Sequence, residues 1–191
     1  IHSDPSLITH ISHLNEPSPL RMTGLATVVE AMPEDDKRWW DKNQIQAFTD
    51  SLAPHQTERL QRFLNANTKI VRTAYRRTRS GVVRWEIREE EIAGCLRTAR
   101  GGSSRQAVVI CENGKLKVRW MTGTEYARLQ GADSYQFNGF SDAQIRYEFG
   151  NAVAVPVVTW LIKNAVKPAL MSSRNGVNND GNGQLLLERA Q

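Results

Sequence analysis

Apolar positions along the chain change period twice. From Pro33 to Asn67 they recur at three- to four-residue steps, which predicts helices. Asp35-Asp36 precede Trp39, Trp40, Ile45, Phe48 and Leu52, and Pro54 opens a second run with Leu60, Phe63 and Leu64 on one face. Adjacent tryptophans can stack on bases, but within an amphipathic helix core packing is the first reading of Trp39 and Trp40. Residues 69–119 read instead as strands and turns. Ile70 to Arg77 and Val82 to Arg88 flank Thr78-Arg79-Ser80-Gly81 as a hairpin, and Ile92 to Arg97 and Ala107 to Ile110 flank a loop holding Gly101-Gly102-Ser103-Ser104. Asn113-Gly114, between Val108-Val109-Ile110 and Leu116-Lys117-Val118, predicts a type I′ turn.

The helical period then returns. Thr122 stands three before Glu125, and Ser141 three before Gln144, both at capping-box spacing, with stops expected at Gly131 and Gly150. A third helix is expected to begin near Pro156 and end before Pro168. Residues 1–24, rich in Ser, Pro and His, read as a linker or arm, and the Asn-, Gly- and Ser-rich residues 171–191 read as a disordered tail.

Composition narrows this picture only a little. A chain of 191 residues holds one ordinary domain, or a small one with a piece of another. The 25 basic against 20 acidic residues, net +5, permit a nucleic-acid partner without requiring one. Cys95 and Cys111 form neither a disulfide framework nor a zinc pattern, which favours a cytoplasmic setting. The apolar stretch from Ala152 to Val166, interrupted by Pro156 and Lys163, reads as too short for a bilayer, so no membrane is expected. No signal peptide opens the chain, and its start at Ile1 rather than Met predicts a fragment or a processed chain. His10 and His13, with His2 nearby, lack a carboxylate or cysteine to complete a site, so no metal is expected.

The placement of arginine is more telling than its number. Six arginines (Arg72, Arg76, Arg77, Arg79, Arg84 and Arg88) fall in the first strand pair, and Arg97, Arg100 and Arg105 follow. A planar guanidinium matches both phosphate oxygens and the major-groove edge of guanine, so these residues are candidates for nucleic-acid contact. The competing reading pairs them with Glu86, Glu89, Glu90 and Glu91, which lie close by. In the glycine loop, Ser103 and Ser104 can donate to phosphate, while Arg105 and Gln106 can make bidentate bonds to guanine and adenine.

Arg119-Trp120-Met121-Thr122-Gly123-Thr124-Glu125-Tyr126-Ala127-Arg128-Leu129-Gln130-Gly131 resembles the ninth motif of the cytosine-specific DNA methyltransferases that methylate carbon 5. Glu148-Phe149-Gly150-Asn151-Ala152-Val153-Ala154-Val155-Pro156-Val157 resembles the tenth, in the right order and at the right distance. Ala93 to Thr98 with Gly101 to Gln106 resembles the target recognition domain of one branch of that family. The chain departs from the family where Gly123-Thr124 replaces a Pro-Arg pair, and Gly131-Ala132-Asp133 is one residue short.

The resemblance implies a mixed α/β fold: a target recognition domain of strands and helices over 33–118, then helices over 119–170 that complete a Rossmann-like methyltransferase domain, with 1–32 as an arm to the catalytic part. It implies that Asn151, Ala152 and Val153 lie beside S-adenosylmethionine. Arg119, Glu125 and Arg128 become structural polar residues. Base and phosphate contacts on double-stranded DNA fall to Arg76, Arg77, Arg79, Arg97, Arg100, Ser103, Ser104, Arg105 and Gln106. The family's Pro-Cys nucleophile and its glycine-rich cofactor loop are absent, so the chain is expected to be inactive alone and to need a catalytic half. The implied setting is a bacterial, nucleoid-associated restriction-modification or related system. A non-catalytic DNA-binding protein derived from such an enzyme remains the alternative.

Overall fold

The computed structural model describes residues 14–19, 22–98 and 105–171. It divides into two compact units, Leu20–Val155 and a second formed by Ile1–Pro19 with Pro156–Gln191. The expected tail over 171–191 lies outside the described residues save for Met171, as do residues 1–13, 20 and 21 of the arm.

In the larger unit, a short helix α1 (Leu25–Val28) precedes α2 (Lys42–Asp50) and α3 (Pro54–Leu64). The expected helical start near Asp35-Asp36 moves to Asp41, whose carboxylate caps Gln44 while Gln44 bonds back to Asp41. Trp39 and Trp40 are therefore not helical: Trp39 makes an isolated bridge with Arg119, and the Trp40 amide donates to the Val118 carbonyl at 2.8 Å. Both serve the protein interior, with Trp40 fully in the core.

Four antiparallel strands follow, β1 (Ile70–Arg79), β2 (Val82–Ile87), β3 (Gln106–Glu112) and β4 (Lys115–Trp120), in the order β2-β1-β3-β4. Ser80-Gly81 and Asn113-Gly114 close the two hairpins with positive φ at both turn residues (49° and 78°, 51° and 72°), the conformation that two-residue turns of this hand require. The strand expected over Ile92 to Arg97 is not formed; these residues cross the sheet as an extended loop.

Period-two alternation gives each face of the sheet its own core. One face carries Ala74, Trp85, Ile87, Ala107, Val109, Cys111 and Val118 and is covered by Trp40 and by Phe48, Leu52, Leu60 and Phe63 of α2 and α3. The other carries Val71, Val108 and Ile110 and is covered by Leu25, Met121 and Tyr126, with Ala93 and Leu96 of the crossing loop.

Two further helices complete the unit, α4 (Gly123–Leu129) and α5 (Asp142–Asn151), each opened by a full capping box, at Thr122/Glu125 and Ser141/Gln144. The expected stop at Gly150 does not occur, because Gly150 lies within α5 and the helix ends one residue later. Glu125 does more than cap. Its carboxylate is buried and accepts from Arg119 Nη1 at 2.9 Å, Arg119 Nη2, the Thr122 amide at 2.8 Å and the Glu30 amide at 2.8 Å.

The smaller unit is a helix, α6 (Val155–Leu161), that widens into a π turn over Ile162–Val166 and continues to Met171. It was expected to end before Pro168. Proline lacks an N–H and crowds the carbonyl four residues back, here Asn164, which sits within the widened turn. Asn164 Nδ2 also donates to the Trp160 carbonyl at 2.9 Å. Val157, Leu161, Ile162, Val166 and Leu170 are all exposed on this helix. By length and apolarity alone, Asp142–Met171 (30 residues, with an 18-residue window of mean hydropathy 1.3) is long enough to cross a membrane, against the expectation from the shorter stretch. Its backbone, however, leaves the helix over 152–154. Such a break is costly in hydrocarbon unless protein or water satisfies it.

Replacing Arg119 by Met should leave the Glu125 carboxylate buried without its counter-charge and lower unfolding free energy by about 3–5 kcal/mol. Urea unfolding measures this, and a loss under about 1 kcal/mol would mean that the pair is dispensable.

Candidate nucleic-acid interface

The alternation of β1 sends its arginines to opposite faces, and this decides which of them share a site. Tyr75 and Arg77 stand on the face crossed by the loop, opposite Glu86 and Arg84 of β2. The Tyr75 ring lies between two guanidiniums, Arg77 and Arg88, each 5.3 Å from its centroid. Its hydroxyl donates to Glu86 at 2.8 Å, and burial, aided by that bond, raises its pKa. Together with Arg97, Gly94 and Cys95 of the crossing loop, these residues line a cavity of about 450 Å³.

The competing set of ion pairs is mostly spent elsewhere. Glu89 binds Arg59 at 2.6 Å and Arg62 at 2.8 Å, both from α3, and these bonds hold its carboxyl below the usual range. Glu91 accepts from the Ala26 amide at 2.9 Å, at the start of α1. Arg72 donates to the carbonyls of Glu89 and Val71, at 2.8 and 2.7 Å. Among the described residues Arg77 pairs with Glu86, at 4.0 Å, with half its side chain exposed, an arrangement worth little against solvent screening. The cavity thus gathers Arg77, Arg88 and Arg97 with Glu86 as the neighbouring acid.

Of the remaining expected contact residues, Arg76 and Gln106 also line this cavity but are engaged by other contacts, and Arg105 does not line it. Arg76 lies on the helix-covered face with its guanidinium 5.7 Å from the Trp85 ring and 5.6 Å from Trp120, and Arg105 lies 4.6 Å over Trp120. Burial lowers the Arg105 pKa, and its Nε has no hydrogen-bond partner among the described residues. Gln106 departs furthest from its expected role as a base reader. It is 3% exposed; its Oε1 accepts from the Gly94 amide at 2.7 Å and its Nε2 donates to the Gly94 carbonyl at 3.0 Å. Those two bonds make it a clamp on the crossing loop. Arg100, Ser103 and Ser104 lie outside the described residues, as does the side chain of Arg79, whose backbone ends β1.

Tyr75 and Gly94 were missed by sequence reasoning, while Arg88 stood among the nine candidate arginines without being singled out as a contact. The signal for Tyr75 was present, since a two-residue period puts it on the same face as Arg77. Nothing in the sequence marks that Gly94 would meet Gln106.

Asn151, Ala152 and Val153 form the exposed end of α5 and its turn toward α6. Gln130 holds that turn, donating from Nε2 to the Phe149 and Ala152 carbonyls at 3.1 and 3.2 Å, while its own carbonyl accepts from the Val155 amide at 2.8 Å. Arg128 donates to the Val28 carbonyl at 2.9 Å and so ties α4 to α1. Among the described residues no group of three or more His, Cys, Asp or Glu could hold a metal; His2, His10 and His13 lie outside them.

Cys111 is buried on the helix-covered face, and burial pushes its pKa up to about 11, whereas Cys95 is exposed. Iodoacetamide should therefore label Cys95 alone in the native chain and both thiols in denaturant, read by peptide mass. Native labelling of Cys111 would contradict the packing of β3.

The family model for the C-5 cytosine-specific DNA methylase matches residues 6–167, well over half of the chain. Neither the curated proteins nor the solved structures gave a match.

Proposed function

Because the chain belongs to the C-5 cytosine-specific DNA methylase family, we propose that it is the DNA-recognition and cofactor-pocket-completing half of a DNA (cytosine-5-)-methyltransferase. The observation that carries this reading is the cavity in which Arg77, Arg88 and Arg97 converge, with Glu89 and Glu91 engaged by other groups and Glu86 bonded to Tyr75. Exposed guanidiniums gathered with little counter-charge favour a polyanion, and each phosphate they neutralise releases counterions. In this reading Arg77 and Arg97 hold duplex DNA, with Arg79, Arg100, Ser103 and Ser104 as further contacts. Arg76 and Arg105, laid against Trp85 and Trp120, contribute fixed positive charge.

Methyl transfer to carbon 5 of cytosine needs a thiolate, and this chain offers a poor one. No Pro-Cys dipeptide occurs in its 191 residues, and the buried Cys111 thiol is held protonated at neutral pH. The nucleophile therefore comes from another segment or another chain. The exposed apolar positions Val157, Leu161, Ile162 and Val166 of α6 and its π turn supply a face on which such a catalytic part can pack.

Members of this family generally use S-adenosylmethionine, which supplies the methyl group. Asn151, Ala152 and Val153 fit it as one wall only. They present an exposed amide and two exposed apolar side chains, and line neither the arginine cavity nor the one walled by Trp39 and Lys117. The rest of that pocket, like the Rossmann-like sheet, belongs to the catalytic part. A role in a bacterial restriction-modification or related system follows from the same reading.

Binding of the full chain to a fluorescent duplex, titrated at two salt concentrations, tests the DNA part. Affinity should fall steeply with salt, and Arg77→Ala or Arg97→Ala should each weaken it and reduce the log–log salt slope by about one. Absence of binding at low salt, or binding without a salt slope, would remove the reading.

A further inference from the structure

Gly150 sits inside α5, one residue from its end, and its φ is not left-handed. Helix propensity alone would favour alanine there. The neighbourhood supplies the reason for glycine. A Cβ at this position would stand 2.7 Å from the carbonyl carbon and oxygen of Arg97 and 2.8 Å from the amide nitrogen of Thr98. These are main-chain atoms and cannot swing aside. At Gly94, by contrast, an added Cβ would meet first the tip of the Arg88 side chain, at 2.8 Å, which can move.

The segment against which Gly150 rests is the crossing loop that walls the arginine cavity. It has no secondary structure of its own, so its position depends on its anchors. At one end Thr73 Oγ1 donates to the Ile92 carbonyl at 2.9 Å and Gln106 grips Gly94 through two hydrogen bonds. At the other, Arg97 and Thr98 lean on Gly150. We propose that Gly150 is a positioning residue of the nucleic-acid site: its missing side chain lets the end of α5 seat on the Arg97–Thr98 backbone, so that this helix end fixes where the Arg97 wall of the cavity stands. The same helix end carries the exposed Asn151–Val153 turn, and the recognition loop and that turn thus share one rigid junction. The inference rests on the reading of the cavity as DNA-facing.

Cys95, exposed in the same loop two residues before Arg97, is a built-in reporter of the loop's position. In the full chain, Gly150→Ala should change the rate of Cys95 alkylation by iodoacetamide several-fold. It should also weaken binding to a mixed-sequence duplex by roughly tenfold at low salt, as expected for displacing one or two arginine–phosphate contacts. The far-ultraviolet spectrum should be retained. A packing role without consequence for the site would lower the melting temperature and leave both readouts unchanged, which would overturn the proposal. Should Gly150→Ala fail to fold, Arg97→Gly/Gly150→Ala should restore folding, because a glycine at 97 lets the loop backbone yield; failure of that rescue would overturn the proposal as well. If the unaltered chain binds no duplex, the DNA reading fails and takes the proposal with it. If it binds with a salt slope and Gly150→Ala matches it in affinity and alkylation, only the positioning role is lost.

Discussion

Two charges, Arg119 and Glu125, lie wholly out of water at the centre of the larger unit, and the arrangement around them ties its parts together. Burying an ion pair is tolerable only when nearly every donor and acceptor finds a partner. Glu125 has four donors, from Arg119, Thr122 and Glu30. Arg119 also donates to the carbonyls of Trp120 at 3.1 Å and Glu30 at 3.2 Å, and its guanidinium lies 5.5 Å from the Trp39 ring centroid; its Nε alone has no partner. One pair thereby fixes the last strand of the sheet, the start of α4, the segment after α1 and the turn before α2.

Rigid contacts carry that anchor outward to the site. The Gly123 amide donates to Asp142 Oδ1 at 2.5 Å, and a Cβ at Gly123 would stand 2.6 Å from Ile145 Cβ, so α4 and α5 meet with no space between them. From α5 the path continues through Gly150 to Arg97 and Thr98, and through the Gln130 carbonyl and amide to the 151–155 turn. The ninth-motif residues need no contact with DNA or cofactor to matter. They hold the framework that joins β4, α1, α4 and α5.

Much of this could be read from the sequence, and the failures have physical causes. Asn113-Gly114 and Ser80-Gly81 place both hairpins, since two-residue turns demand left-handed residues. The spacing of Thr122 to Glu125 and Ser141 to Gln144 opens α4 and α5. Three features were hidden. Ile92 to Arg97 alternates like a strand but lies across a face of the sheet, where Ala93 and Leu96 join the core and Gln106 clamps Gly94. Gly150 resembles a helix stop because sequence cannot distinguish a glycine needed for φ from one needed for close approach. The run of strand arginines looks like one surface until the register divides Arg76 from Arg77 and sends them to opposite faces.

In the proposed reading this chain is one part of a two-part methyltransferase. Labelled methyl transfer from S-adenosylmethionine to cytosine in duplex DNA tests it most directly, comparing this chain, the catalytic segment that carries the Pro-Cys nucleophile, and the two together. Transfer should appear only when both parts are present. Transfer by these 191 residues alone, or undiminished transfer by the catalytic segment without them, would contradict it.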